Sequence, residues 1–189
     1  MTANEDIIER ARSIKLLVLD CDGVLTDGAL HYFGSPAHAA ATDISIGLSF
    51  YAQDGHAIRM LMGSGVKVAV ISGRGSLAFD YRMRELGIDH ALSHVSDKGA
   101  ALEGLLTELG LEPHTVAAVG DDLPDLALFA IAGLSVAPAD AHPVVRSQAT
   151  HVTESMGGRG AVRDVAMLIM HAQGALDEHL GIYPNSTVP

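Results

Sequence analysis

Asp20-Cys21-Asp22-Gly23-Val24-Leu25-Thr26-Asp27 follows directly on the apolar run Leu16-Leu17-Val18-Leu19. Two carboxylates two residues apart would point to opposite faces of a continuing strand. Gly23 allows a sharp turn instead, so the strand should stop here. That turn can bring both acids to the carboxyl end of a sheet, where open α/β folds place their ligands. One acid could then attack a phosphorus atom while its neighbour handles the proton. Asp and Gly are also ordinary turn residues, so the motif gains chemical meaning only from its company.

Three further segments supply that company. Val66–Ile71 ends in Ser72-Gly73-Arg74-Gly75. A hydroxyl and exposed N–H groups before a helix make a phosphate contact, with a plain helix cap as the alternative. Arg74 adds a guanidinium that grips carboxylate or phosphate in two-pronged fashion. Asp97-Lys98-Gly99 opens the next helix. Asp97 suits an N-cap, whereas Lys98 there opposes the helix dipole and implies an anion nearby. Finally, Val116–Val119 runs into Gly120-Asp121-Asp122-Leu123-Pro124-Asp125. Asp122 or Asp125 can complement the helix start, but three carboxylates at one turn favour a hard cation such as Mg²⁺. Together these groups meet the needs of phosphoryl transfer: nucleophile, proton donor, phosphate grip and metal.

The elements that must position them alternate. Leu16–Leu19, Val66–Ile71 and Val116–Val119 read as buried strands, with shorter ones at Leu134–Val136 and His151–Thr153. Helical spacing covers Glu5–Ser13, Gly55–Met62, Ser76–Leu86, Lys98–Leu109, Asp122–Ile131 and Ala161–Ala172. The expected fold is α/β, a doubly wound, mostly parallel sheet in one domain spanning residues 1–189. One segment breaks the alternation. Over Gly28–Gln53, Ala29–Phe33 and Leu48–Ala52 read as two strands joined by the irregular Gly34–Gly47 stretch. Such a hairpin insert would form a flap by the acids and offer an edge to another subunit. The tail, residues 174–189, has little to pack with and is expected to be mobile or pinned by a partner.

Composition narrows the partners. The chain has 189 residues, 48% hydrophobic, enough for a sizeable core. Its net charge of −11 repels nucleic acid and anionic lipid, so neither is an expected partner. Cys21 is the only cysteine, which excludes an internal disulfide and a thiolate zinc cluster. Between two aspartates it reads as an apolar filler. No run reaches membrane-spanning length, and Met1–Lys15 lacks a signal-like apolar core, so a cytoplasmic protein is expected. His90 and His94 lie in a stretch that reads as turn and strand, not as a helix presenting a zinc pair. Gly157–Gly160 reads as the entry to the last helix, with a phosphate cradle as the alternative.

With these residues in view, the chain resembles the haloacid-dehalogenase-like superfamily of phosphatases. Asp20–Thr26, Ser72, Lys98 and Gly-Asp-Asp-x-x-Asp at 120–125 are similar to its four motifs. The resemblance implies that Asp20 is the nucleophile and that Asp22 protonates the leaving oxygen and then activates water. It implies Mg²⁺ on the Asp20 carboxylate, the Asp22 carbonyl and Asp121, with Asp122 and Asp125 in support. Ser72, Gly73 and Lys98 would hold the phosphate. Leu25–Gly28, Asp54–Arg59, Gly133–Ala137, Ala139–Pro143 and Gly157–Arg163 further resemble the phosphatases of 3-deoxy-D-manno-octulosonate 8-phosphate, over roughly Ile14–Leu180. Those enzymes lack a large cap domain and form tetramers whose subunits cover each other's sites. By the same likeness Arg74 and Arg59 would meet the sugar-acid end of the substrate. Relatives acting on nonulosonate 9-phosphates usually carry Glu at the Arg74 position, which favours the octulosonate. Gln53, where an Arg is common, and the long Gly34–Gly47 linker are departures. A receiver-like signalling domain would order its acids and lysine differently along the chain.

Overall fold

Leu16–Leu19 (β1) is buried on both sides, as a strand with no polar face requires. The computed structural model describes residues 3–34 and 44–176. The remaining strands are His31–Phe33 (β2), Ser45–Gly47 (β3), Lys67–Ile71 (β4), His90–Leu92 (β5), Val116–Val119 (β6), Leu134–Ala137 (β7) and His151–Val152 (β8). The helices are Ala3–Arg12 (α1), Ala52–Gly63 (α2), Leu77–Leu86 (α3), Lys98–Leu109 (α4), Leu126–Phe129 (α5), Pro143–Gln148 (α6) and Ala161–Ala172 (α7). Six strands form one parallel sheet in the order β5-β4-β1-β6-β7-β8, and β2 pairs antiparallel with β3. This is the expected doubly wound α/β fold with a small hairpin.

Side-chain alternation along β1 splits the core in two. Leu17 and Leu19 join residues of α2, α3 and α7 on one face of the sheet. Leu16 and Val18 meet Leu102, Leu105, Leu106 and Leu128 on the other. β1 lies between β4 and β6, with Leu16 opposite both Lys67 and Val116. The carboxyl ends of three adjacent strands therefore open side by side.

The hairpin departs from the expected boundaries. Its second strand is Ser45–Gly47, not Leu48–Ala52. Leu48 and Phe50 turn back against the core, Phe50 bridges to Thr26, and Ala52 already begins α2. Their apolar character reflects packing rather than strand pairing. Residues 35–43 of the expected linker and 177–189 of the expected tail lie outside the described residues. The single helix expected over Asp122–Ile131 is a 3₁₀ turn at Leu123–Asp125 followed by the short α5. Pro143–Gln148 is an additional helix opened by its proline. Among the described residues no helix is long and apolar enough to cross a membrane.

One support reaches the sheet's functional end from behind. The N-cap residue of α7 is Gly160, which has no side chain to cap the helix. Asp54 of α2, almost wholly buried, caps it from outside, accepting from Gly160 N–H at 3.2 Å and Arg163 N–H at 2.8 Å. Burial pushes the Asp54 carboxyl above its usual range, and these two N–H groups work against that rise. The N–H groups of Gly157 and Gly158 are also committed, to Asp140 Oδ1 and to the Val24 carbonyl. The loop is therefore a buttress against the Asp20–Leu25 turn and not a phosphate cradle. Asp54→Ala leaves one buried and one part-buried donor unpaired and should cost about 2 kcal/mol. Thermal unfolding should show a Tm lower by about 5 °C, and an unchanged Tm would contradict the capping role.

Candidate active site

Asp20 is the first residue beyond β1. After it the chain winds through a wide turn, Cys21–Leu25, closed by Thr26 N–H to the Cys21 carbonyl at 3.0 Å. Asp22 leaves helical geometry at ψ 115, and Gly23 follows at φ 88. Gly23 is required twice over. A side chain is strained at that φ, and a Cβ would collide with the Asp121 carboxylate. The fully buried Thr26 ties the turn together. Its Oγ1 accepts from Gly23 and Gly28 N–H at 3.4 and 3.2 Å and donates to the Cys21 carbonyl at 3.3 Å.

The neighbouring strand ends bring in the other groups. Ser72, just past β4, is locked to the β5 side by Ser72 N–H to the Leu92 carbonyl and Val95 N–H to the Ser72 carbonyl, 2.8 and 3.0 Å. Its Oγ accepts from Arg74 N–H at 3.2 Å. The α3 cap is Ser76, with Phe79 N–H as donor, so Ser72 is not that cap. Beyond β6, Asp122 caps the next turn through Leu123 N–H at 2.8 Å. Asp125 Oδ2 accepts from the N–H groups of Asp121 and Asp122 at 3.0 and 3.2 Å. Asp97 caps α4 through Ala100 N–H at 3.0 Å. The next residue, Lys98, is buried, and its Nζ bridges Asp20 Oδ1 at 2.8 Å and Asp125 Oδ1 at 2.6 Å. The anion that its position against the helix dipole implied is thus a pair of carboxylates.

Negative charge is in excess here. Burial pushes the Asp20 carboxyl up to about 6, helped by the Asp125 charge and opposed by Lys98. Asp121 rises further, to about 8, through burial and then the charges of Asp20, Asp125 and Asp122. Burial lowers the affinity of Lys98 for its proton, but Asp20 and Asp125 outweigh it and leave the pKa raised. Cys21 stays a thiol, because burial and then the flanking Asp22 and Asp20 raise its pKa. It is the buried filler expected.

Oxygens of Asp20, Asp121 and Asp125 lie within 4.8 Å of one another, a spacing suited to one cation. Both Asp125 oxygens are already engaged, by Lys98 and by two backbone N–H groups. Asp121 Oδ1 is buried without a hydrogen-bond partner. An orphaned carboxylate oxygen beside a second carboxylate is a donor set for a divalent, oxygen-loving ion, so the residues fit such an ion, and Asp20 and Asp121 are the two with oxygens to give.

Asp20, Asp22, Gly73, Arg74, Lys98, Asp121, Asp122 and Asp125 all line one open cavity of about 590 Å³. That volume suits a small metabolite. Beside it a narrow recess is bounded by Asp22, Ser72 and Arg74 and roofed by Leu30, Ile46 and Leu48 of the hairpin region. Arg74 is two-thirds exposed and stands 3.8 Å from Asp22, a loose contact that leaves its guanidinium available. Arg59 is not brought to the cavity; it donates to the Glu85 carbonyl at the end of α3. Thr26 and Asp54 lie in stretches that carry the family likeness, but their structural roles, which depend on burial, were not legible there.

A family model for haloacid dehalogenase-like hydrolases matches residues 92–164. The 3-deoxy-D-manno-octulosonate 8-phosphate phosphatase KdsC of Escherichia coli is 43% identical over 93% of this chain and 89% of its own length. Two solved structures align closely. One is the Moraxella catarrhalis phosphatase in complex with magnesium ion, phosphate ion and KDO, at 36% identity, TM-score 0.87, covering 95% of this chain and 98% of that one. The other is the cobalt-bound Haemophilus influenzae phosphatase, at 38% identity, TM-score 0.79, covering 87% and 92%. The fold is that of a haloacid dehalogenase-like hydrolase. Within that class the chain belongs to the 3-deoxy-D-manno-octulosonate 8-phosphate phosphatase family.

The raised carboxyls set a pH dependence. Asp20 and Asp121 ionise near 3.8 when unfolded but near 6 and 8 when folded. The folded state holds more protons between these limits, so the pair's contribution to stability falls as pH rises from about 4 to about 8. A bound divalent ion reverses that loss. The rise in Tm on adding Mg²⁺ to chelator-treated protein should therefore be larger at pH 8 than at pH 5. It should vanish in Asp121→Asn, and an equal rise at both pH values would contradict this account.

Proposed function

We propose that this protein is a Mg²⁺-dependent phosphomonoesterase that releases phosphate from 3-deoxy-D-manno-octulosonate 8-phosphate through an aspartyl-phosphate on Asp20. The observation that carries the reading is the Lys98-held Asp20 beside the orphaned oxygen of Asp121, with Asp22 on the turn that follows. The Asp20 and Asp121 carboxylates and the Asp22 carbonyl would hold the ion, which when bound would neutralise charge on the phosphoryl oxygens. Lys98, the Ser72 hydroxyl and the Gly73 N–H hold the phosphoryl group. Asp122 and Asp125 support them, Asp125 by keeping Lys98 in place.

One oxygen of the Asp20 carboxylate attacks phosphorus, and the ester P–O bond breaks as the new P–O bond forms. Asp22 gives its proton to the departing sugar oxygen. The same carboxylate then takes a proton from water, whose oxygen attacks phosphorus and frees Asp20 and inorganic phosphate. Arg74 meets the carboxylate of the sugar acid, giving this anionic substrate a cation on an otherwise acidic protein. The Moraxella relative, which holds magnesium, phosphate and KDO, supports both ion and substrate class. The reading extends to a cytoplasmic enzyme and to a homotetramer, supported by the exposed Tyr32, Phe33, Ile44 and Ile46 on the hairpin.

Phosphate release from 3-deoxy-D-manno-octulosonate 8-phosphate should require Mg²⁺ and stop with chelator. Asp20→Asn and Asp22→Asn should each lower kcat by a factor on the order of 10³ or more while keeping the folded circular-dichroism spectrum. Full activity in either variant, or turnover without any divalent ion, would sink the proposal.

A further inference from the structure

Among the described residues, glycines aside, one has a left-handed backbone: His94, at φ 58. It lies two residues beyond β5, next to Val95 and Ser96, which line the cavity. Glycine adopts that conformation freely, whereas an imidazole-bearing residue is strained there, and strain of this kind collects at functional sites. The ring of this residue lies directly against Gly75. A Cβ on Gly75 would run into His94 Nε2, so the ring fills the volume that a side chain at position 75 would take.

What the ring touches is the least anchored part of the site. Ser72 is fixed by its two bonds to the β5 side, and Ser76 is fixed as the α3 cap. Between them, among the described residues, Gly73–Gly75 makes a single hydrogen bond, Arg74 N–H to Ser72 Oγ. Arg74 carries the guanidinium that faces both the cavity and the neighbouring recess. Loss of the ring would loosen Arg74, whereas the hydrogen bonds that hold Ser72, Lys98, Asp20 and Asp125 do not involve the His94 side chain.

We infer that His94 is a positioning residue for substrate selectivity: packed on Gly75, its ring holds Arg74 ready for the acid end of the substrate and has no part in the chemistry at phosphorus. The inference rests on the phosphatase reading and deepens it. Its test is the comparison of two esters, one with a carboxylate and one, p-nitrophenyl phosphate, without.

His94→Gly removes the ring and relieves the backbone, so its Tm should be unchanged or higher. For 3-deoxy-D-manno-octulosonate 8-phosphate, KM should rise about threefold to tenfold, the loss expected when one contact side chain must be ordered on binding. For that ester kcat, and for p-nitrophenyl phosphate kcat/KM, should change by less than about twofold. Adding Gly75→Gln to His94→Gly refills the vacated volume and should recover most of the lost KM. An unchanged KM in His94→Gly, or equal losses on both esters, would overturn the inference. If the unaltered protein ignores the octulosonate ester, the proposed substrate is wrong. The comparison is then read on whichever carboxylated phosphate ester it does hydrolyse, and turnover of none overturns this inference as well.

Discussion

A single ammonium group lies between two buried carboxylates, and the functional end of the fold is arranged around it. Lys98 reaches Asp20 after β1 and Asp125 after β6 from the first turn of α4, a position the helix dipole disfavours. It offsets part of the negative charge there and cannot offset all of it. Asp22, Asp121 and Asp122 share the same cavity. The surplus shows itself in the raised Asp20 and Asp121 carboxyls and in the unpartnered Asp121 oxygen. A site left in this condition binds positive charge and, with that charge in place, accepts a phosphate dianion that an acidic protein would otherwise repel.

Rigidity behind the acids follows from the same constraint. Carboxylates that repel one another stay close only when their backbones are held. β1, β4 and β6 fix three anchor points with parallel hydrogen bonding. Thr26 closes the turn that carries Asp20 and Asp22, and the Gly157–Gly158 loop presses on it under the hold of Asp54 and Asp140. By contrast the Gly73–Gly75 loop has little hydrogen bonding of its own. The side of the cavity that meets phosphorus is therefore stiff, and the side that reads the remainder of the substrate depends on packing.

How far the sequence alone reached depends on the type of signal. Apolar runs followed by Asp20, Ser72 and Asp121 marked strand ends unmistakably, because buried parallel strands have no polar face. Periodicity likewise located α4 and α7 closely. The hairpin boundary was misread, since Leu48 and Phe50 are apolar for packing on the core and not for pairing. Arg59 had the right charge, but its helix turns it toward the Glu85 carbonyl. Asp54 and Thr26 fall within stretches that carry the family likeness, but their roles come from burial and from their partners: Gly160 and Arg163 for Asp54, and Cys21, Gly23 and Gly28 for Thr26. The sequence also allowed Asp125 to be a simple cap, whereas it is both a cap and the second anchor of Lys98.

The most direct test of the covalent role given to Asp20 is to quench the Asp22→Asn variant in acid during turnover of phosphate-labelled p-nitrophenyl phosphate, whose leaving group departs without a proton from Asp22, and digest it. Asn cannot activate water, so the phosphorylated state should accumulate. The account predicts label retained on the peptide that contains Asp20. Label on another residue, or none despite substrate consumption, would contradict it.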